Sequence, residues 1–365
     1  TQSTWGIQHF ETLASPVVGM FSRLICICLL ACVAKGLTIE TFQLQSGNLS
    51  ITVTNYGAHL MSVVFPDKFG KLDDVLLGYD TAVEYVKGKT TFAPILGRVG
   101  NRISNAQFTL NGKTYKLEAN EGKNTINSGS KGYSTVLWGV KEYLPNAKIP
   151  RLVLFYNSFD GEQGFPGNLS VTATYKLLPG SVMSITMTAK ALNKATPVNL
   201  IFHPFWNLGG QASGDILSEE LQLFASRYTP VVDHIPTGEI LPVKGTPYDF
   251  MKPRTIGSRI GELPSGYDTF FPIDRKDELS LAAVLSDKKT GRRLEMMITQ
   301  PGLQVYSSDK LNLTGKGGAL YSAHSAIALE PQGYPNAVNQ PNFPSQIVYP
   351  GQIYRHHVVI KFSAS

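Results

Sequence analysis

The chain has little charge, very few cysteines and no long apolar segment. Of its 365 residues only 16% are charged and three are cysteines, so a disulfide-stabilised scaffold is excluded. No apolar run reaches the roughly 18 residues that a membrane-spanning helix needs. The net charge is +6, but lysine and arginine form no dense block, which disfavours nucleic acid as a partner. Hydrophobic residues make up 42% of the chain, which indicates a folded rather than a disordered protein.

An apolar stretch near the N-terminus predicts a signal peptide. Met20 and Arg23 precede an apolar run that ends in small residues near Ala34, as in a secretory leader. We therefore expect residues 1–36 to be an upstream segment plus a signal peptide, and the mature chain to be secreted without a membrane segment. A buried strand is the alternative. The stretch contains all three cysteines of the chain, Cys26, Cys28 and Cys32.

Three Asn-x-Ser/Thr sequons are compatible with secretion. They lie at Asn48, Asn168 and Asn312, each close to turn-forming residues. Such sequons mark potential N-glycosylation sites in an exported protein. Because a chain of this composition contains about two by chance, they add only a little to the prediction of export.

Apolar and polar residues alternate with a period of two along most of the chain, which predicts β-strands. Runs such as Leu169–Tyr175 and Met183–Ala189 show the pattern. Asn111-Gly112 separates two alternating runs and predicts a tight hairpin turn. Helical signals are confined to short stretches near 81–86 and 255–261. We expect a single all-β domain, a large antiparallel β-sandwich that spans residues 37–365.

Common catalytic and cofactor motifs are missing from the sequence. Its seven histidines show neither His-x-x-x-His nor His-Glu-x-x-His spacing, which disfavours a zinc site. There is no Gly-x-x-x-x-Gly-Lys phosphate loop and no Gly-x-Ser-x-Gly nucleophile elbow. The sequence therefore predicts neither a metal nor a nucleotide cofactor.

Three segments carry polar groups in unusual surroundings. Gly97–Ile103 holds two arginines and an asparagine, which either recognise hydroxyls and carboxylates or satisfy loop carbonyls. In Phe202–Asn207, His203 lies among aromatic residues, as either a proton-transfer group or a satisfied core histidine. Glu330 follows an apolar run, so it is either a buried functional carboxylate or a surface residue at a strand end.

Together with several other segments in the same order, these three segments make the chain similar to the aldose 1-epimerase (galactose mutarotase) family. They are Asn55–Ala58, Asp74–Tyr79, Gly97–Ile103, His203 with Asn207-Leu208, Gly266–Asp268, Pro301–Gln304, Leu329–Gln332 and Asn339–Pro344. The resemblance covers most of the predicted mature chain. It implies a galactose mutarotase-like β-sandwich and interconversion of the α and β anomers of an aldose.

The resemblance also implies roles for individual residues. Glu330 matches the family's catalytic base and His203 its catalytic acid. Four further positions match sugar-hydroxyl binders: Asn101, Arg102, Asp268 and Gln304. The implied reaction opens the ring by removing the proton of the anomeric hydroxyl while the ring oxygen is protonated, and it needs no cofactor.

Several positions depart from the family's pattern. Asn127 replaces a second histidine, and it can hydrogen-bond a substrate but cannot titrate. Around His203 and Asp268 the usual polar neighbours are replaced by Phe202, Pro204, Phe205, Thr269 and Phe270. These changes predict a cavity with fewer donors and more phenylalanine. The substrate is therefore either a hexose, handled as in the family, or a less polar hemiacetal, lactol or carbonyl compound, and a non-catalytic binding protein is a third possibility. The sequence leaves the oligomeric state open.

Overall fold

The computed structural model describes residues 38–88 and 90–365. The predicted signal peptide Met20–Ala34 lies outside the described residues. Ile39–Ser365 form one compact unit. Among the described residues, no helix is long and apolar enough to cross a membrane.

The described chain consists almost entirely of strands. The first half contains β1 (Thr41–Ser46), β2 (Leu49–Thr54), β3 (Leu60–Pro66), β4 (Leu72–Asp74), β5 (Ile95–Leu96), β6 (Arg102–Ile103), β7 (Gln107–Leu110), β8 (Lys113–Lys116), β9 (Thr125–Ile126), β10 (Gly139–Leu144), β11 (Arg151–Ser158), β12 (Leu169–Leu178), β13 (Val182–Ala191), β14 (Thr196–Pro197) and β15 (Ile201–Phe202). The second half contains β16 (Phe205–Trp206), β17 (Glu220–Leu223), β18 (Arg227–Tyr228), β19 (Val231–Val232), β20 (Ile235–Pro236), β21 (Leu241–Pro242), β22 (Arg254–Thr255), β23 (Asp268–Pro272), β24 (Ser280–Ser286), β25 (Arg292–Ile298), β26 (Gly302–Tyr306), β27 (Leu313–Thr314), β28 (Leu320–Tyr321), β29 (Ile327–Gln332), β30 (Ile347–Val348) and β31 (Ile353–Ala364). One short α-helix, α1 (Ala82–Lys87), interrupts them.

Three sheets form the body of the fold. The largest has nine strands in the order β10-β11-β12-β13-β31-β25-β24-β17-β22. Two four-stranded sheets have the orders β1-β2-β3-β4 and β16-β29-β26-β23. The paired strands of these three sheets all run antiparallel. The structure thus confirms the predicted antiparallel all-β class.

The period-two pattern explains how these sheets enclose a common core. In β12 every second side chain is buried, so one face of the strand turns inward. Val171 and Ile360 of the nine-stranded sheet belong to one buried apolar cluster with Ile51, Leu303 and Leu329 of the smaller sheets. Burial of this apolar surface is the main favourable contribution to folding.

The local predictions agree with the structure at three places. Strands β7 and β8 form the predicted hairpin, and Asn111 and Gly112 at its tip both have positive φ, at 52° and 76°. Helix α1 forms where expected, because the Glu84 carboxylate accepts the backbone N–H of Thr81 at its N-terminus. The stretch 255–261 forms two short 3₁₀ turns, Ile256–Ser258 and Ile260–Glu262. Its polar, glycine-containing sequence lacks the continuous apolar face that a longer helix would need.

The three sequon asparagines differ in accessibility. Asn48 and Asn312 are exposed. Asn168 is partly buried, and its side-chain oxygen accepts the backbone N–H of Asp160 at 2.7 Å. Glycosylation at these positions stays a prediction.

Candidate active site

The sheet β16-β29-β26-β23 presents a row of polar side chains on one face. Glu330 on β29 pairs across the sheet with Gln304 on β26, and Asp268 on β23 pairs with Tyr306 on β26. Cross-strand partners, and residues two apart on one strand, share a face. These four side chains therefore point to the same side, while alternating residues such as Leu329 point into the core.

A cavity of about 240 Å³ opens over this polar face. It is lined by Asn101, Arg102, Glu121, Ile126, Asn127, His203, Asp268, Gln304, Tyr306, Lys310 and Glu330. All seven predicted site residues are in this set. Segments that lie more than 200 residues apart in the sequence thus meet at one place.

His203 reaches the cavity from the short connection between β15 and β16. Its backbone is fixed by hydrogen bonds from the Ala93 N–H to the His203 carbonyl at 3.0 Å and from the His203 N–H to the Pro94 carbonyl at 3.3 Å. The Phe205 ring packs against the imidazole with the ring centres 5.0 Å apart. His203 Nε2 then lies 3.2 Å from Glu330 Oε1, so the two groups are close enough to exchange a proton.

Burial shifts the pKa values of this pair in opposite directions. It lowers the pKa of His203 to about 4. It also raises the pKa of Glu330 well above its usual range; the Asp268 carboxylate adds to this rise and Arg102 opposes it. Both shifts favour the neutral forms, because a buried site solvates charge poorly. Glu330 is only 4% exposed, which excludes the alternative of a surface carboxylate.

Arg102 and Asp268 form a charged network along one wall. Arg102 Nε and Nη2 donate to the two carboxylate oxygens of Glu121 at 2.7 and 3.0 Å, and Arg102 Nη1 lies 3.4 Å from Asp268 Oδ2. Gln304 Nε2 donates to Asp268 Oδ1 at 2.6 Å. The Oε1 atom of Gln304 is buried and has no hydrogen-bond partner among the described residues. Buried polar atoms without a partner are unusual in folded proteins, so this oxygen is a candidate contact for a ligand hydroxyl.

Asn101 and Asn127 hold each other in place at the cavity edge. Both residues have left-handed backbones, with φ of 64° and 51°, a conformation that asparagine tolerates better than most residues. The Asn101 N–H donates to Asn127 Oδ1 at 2.8 Å, and the Asn127 N–H donates to the Asn101 carbonyl at 3.1 Å. Because Oδ1 is used in this way, the Nδ2 donor is the polar group of the Asn127 side chain that is left for a ligand.

The other arginine of this segment is structural. Arg98 is 2% exposed, and its guanidinium donates to the carbonyls of Pro166, Gly167 and Phe159 and to the hydroxyl of Ser158. Of the two alternatives for Gly97–Ile103, loop stabilisation thus holds for Arg98, while Arg102 is a cavity residue.

The expectation of a phenylalanine-rich cavity was wrong. The lining contains none of the departing residues Phe202, Pro204, Phe205, Thr269 or Phe270. Phe202 lies in the main core, and Thr269 shares the core-facing side of β23 with Phe271.

Two of these residues lie near the cavity without lining it. Phe205 packs behind His203, and Phe270 packs against Tyr334 with tilted rings beside a smaller adjoining pocket. The cavity is therefore polar, and the structure gives no support to a less polar substrate.

Four lining residues were not predicted: Glu121, Ile126, Tyr306 and Lys310. Tyr306 carried a usable signal, because it lies two residues after Gln304 in an alternating run and must share its face. Burial raises the pKa of Tyr306 to about 12, so it stays a neutral hydroxyl at physiological pH. Glu121 and Lys310 lie in irregular segments, where no periodicity indicates which way a side chain points.

No metal-binding arrangement exists in the part of the chain that the structure describes. Within residues 38–88 and 90–365, no group of three or more His, Cys, Asp or Glu side chains is placed to hold a metal ion.

Comparisons with known proteins point to one family. A family model described as aldose 1-epimerase matches residues 40–361. The chain is 39% identical over 332 residues to galactose mutarotase of Sus scrofa, an alignment that covers 90% of this chain and 95% of that protein. It is 31% identical over 331 residues to aldose 1-epimerase of Escherichia coli K12, with 88% and 94% covered.

A solved structure agrees with these sequence relatives. An aldose epimerase homologue from C. elegans superposes with a TM-score of 0.84 at 28% identity, and the match covers 90% of this chain and 99% of that one. The similarity thus extends over the whole β-sandwich.

Proposed function

Since the chain belongs to the aldose 1-epimerase family, we propose that this cavity interconverts the α and β anomers of a free aldose through Glu330 and His203. The protein is an isomerase that acts on carbohydrates. The observation that carries the proposed site is the 3.2 Å contact between His203 Nε2 and Glu330 Oε1 within a polar cavity lined by all seven predicted residues.

Ring opening requires that one proton leave the substrate while another arrives. In this proposal the Glu330 carboxylate takes the proton of the anomeric hydroxyl, and the His203 imidazolium gives a proton to the ring oxygen. Both substrate oxygens are bonded to C1, so the neighbouring groups of the pair can reach them together. The C1–O bond of the ring breaks, and an open-chain aldehyde forms.

The electrostatics of the pair suit this exchange. Ring opening leaves Glu330 protonated and His203 neutral, which are the forms that burial favours. Rotation about C1–C2 presents the other face of the aldehyde. The hydroxyl that was released by ring opening then attacks C1. His203 takes the proton of this hydroxyl, and Glu330 returns a proton to the carbonyl oxygen. The pair ends in its starting state, so no net proton is consumed.

The remaining wall residues hold the ring hydroxyls in this proposal. Arg102, Asp268 and Gln304 offer two charged groups and an amide on one side, and Asn101 and Asn127 add amides at the edge. A pocket built to hydrogen-bond hydroxyls rejects less polar analogues, since its buried polar groups would then lose their partners. An aldose fits this wall better than a less polar hemiacetal does.

Polarimetry tests the proposed roles. Purified protein is added to freshly dissolved α-glucose or α-galactose, and the approach to anomeric equilibrium is followed against buffer. Glu330→Gln keeps the size of the side chain but cannot carry the proton. We expect it to lower the catalysed rate 10²- to 10⁴-fold, the usual contribution of a positioned acid or base.

A matched control uses the same substitution at another buried carboxylate. Glu219 is 2% exposed and does not line the cavity, so Glu219→Gln should keep the wild-type rate. A Glu330→Gln protein that equilibrates the anomers at the wild-type rate would remove Glu330 from the mechanism.

Export stays part of the proposal on sequence grounds alone. The apolar stretch Met20–Ala34 predicts removal of the leader near Ala34. An intact-mass spectrum of protein recovered from the medium of the producing cells tests both the cleavage position and glycosylation. A product that retains the stretch would contradict the proposed export.

A further inference from the structure

Lys310 carries a charge on the cavity wall that no charged partner offsets. The other charged groups of the lining lie beside an oppositely charged neighbour, Arg102 beside Glu121 and Asp268, and His203 lies beside Glu330. Lys310 is exposed and lines the same cavity. It forms no ion pair with any residue of the described ranges 38–88 and 90–365.

The backbone at Lys310 is fixed, so its side chain stays at the cavity. The Ser308 carbonyl accepts the N–H groups of Leu311 and His324, each at 3.2 Å, which ties the turn that contains Lys310 to a neighbouring segment. Leu311 is buried in an apolar cluster that also contains Phe205. The ammonium group can move only within the reach of its own four-carbon side chain.

Lys310 also differs from the other cation of the wall in what it can still bind. Arg102 directs two N–H groups to Glu121 and a third towards Asp268. Its charge is therefore largely compensated inside the protein. Of the two cations that line the cavity, Lys310 is the one without an ion pair among the described residues, so an entering anion can bind it without displacing a protein carboxylate.

We propose that Lys310 makes this site select aldoses that carry a negative group, a carboxylate or a phosphate, on a carbon away from C1. The inference rests on the proposed function, because it takes the anomeric centre to lie at Glu330 and His203. A neutral sugar leaves Lys310 solvated, which costs nothing at an exposed position. A negatively charged sugar gains a charge-assisted hydrogen bond there.

The test compares three substrates at constant ionic strength. D-glucose, D-glucuronate and D-glucose 6-phosphate are each followed by NMR exchange between the anomeric protons, with the buffer rate subtracted. For the wild-type protein we expect kcat/KM to be about tenfold higher for at least one anionic aldose than for glucose. Whichever anion is preferred identifies a carboxylate or a phosphate as the recognised group. Raising the salt concentration should reduce the preference.

Lys310→Met should abolish most of this preference, because methionine keeps much of the length of the side chain and removes the charge. Lys148→Met is the matched control: Lys148 is exposed in the loop between β10 and β11, so the variant makes the same change in net charge away from the cavity and should keep the preference.

Two results would overturn the inference while leaving the proposed function in place. One is turnover of glucose by the wild-type protein without faster turnover of either anion. The other is an anion preference that Lys310→Met does not change. Absence of turnover with all three sugars would instead overturn the proposed function, and the inference with it.

Discussion

Replacing Glu219 by glutamine should stabilise the protein, and more so as the pH rises. Glu219 Oε1 accepts the backbone N–H groups of Leu208 and Gly209 at 2.7 and 3.2 Å. Its Oε2 atom is buried without a hydrogen-bond partner among the described residues. Burial raises the pKa of Glu219 from 4.5 to about 8, against the effect of the two backbone N–H groups; the Asp287 carboxylate adds to the rise.

The size of the effect follows from that pKa difference. Because the pKa is raised in the folded state, the folded protein binds the proton more tightly than the unfolded chain does. The resulting stabilisation is complete below pH 4.5 and is lost as the pH rises to about 8. Each pKa unit corresponds to about 1.4 kcal/mol, so the loss amounts to roughly 5 kcal/mol. Glutamine has the same shape and does not titrate, so the variant avoids this loss.

Urea unfolding measures the difference directly. The free energy of unfolding of wild type and Glu219→Gln is determined by tryptophan fluorescence at pH 5, 6, 7 and 8, where all other titrating groups are common to both proteins. We expect the advantage of the variant to grow by several kcal/mol across this range. Glu220→Gln is the control, because Glu220 pairs with the exposed Lys288 and loss of such a pair costs about 0–1 kcal/mol. An advantage of Glu219→Gln that is the same at every pH would refute the assignment of a buried, protonated carboxyl.

Two further substitutions test the binding wall. Asp268→Asn removes the charge that faces Arg102 and places an amide donor opposite a guanidinium donor. We expect kcat/KM for the aldose to fall about 10- to 100-fold, because roughly 1.5–3 kcal/mol of charge-assisted hydrogen bonding is lost. The change should appear mainly as a higher KM. A KM equal to that of wild type would contradict the role of Asp268. Asn127→Ala removes the acceptor of the Asn101 N–H, so KM should rise about fivefold for a lost bond of about 1 kcal/mol, while Asn127→His should recover part of the loss if its ring nitrogen accepts the same N–H. Steady-state polarimetry measures both, and a wild-type KM in Asn127→Ala would show that the contact with Asn101 is dispensable.

The fold class and the central residues of the site could be predicted from the sequence because their signals are local. Alternation with a period of two predicts strands residue by residue, and Asn-Gly predicts its own turn. The short segments around His203, Asp268, Gln304 and Glu330 each carry a recognisable motif. Their meeting at one cavity depends on long-range strand pairing, which no local pattern specifies.

The residues that were missed lie where local patterns end. Glu121 and Lys310 occupy turns and loops, in which the backbone has no regular period and a side chain's direction depends on tertiary contacts. The bidentate contact of Glu121 with Arg102 forms between residues 19 positions apart. It depends on how two loops pack, so the sequence contained no sign that Arg102 is held by an additional carboxylate.

The error about the phenylalanines has a simpler physical origin, and it changes what the site can bind. The prediction assumes that neighbours in sequence share an environment, but consecutive residues of a strand point to opposite faces. Thr269 therefore faces the core although Asp268 faces the cavity. Phe205 is on the cavity side, yet it is covered by His203 and Tyr306 and so desolvates the acid–base pair instead of contacting a ligand. The same phenylalanine that suggested an apolar substrate thus helps to lower the pKa of His203, which favours proton exchange with Glu330 in a cavity whose exposed groups remain polar.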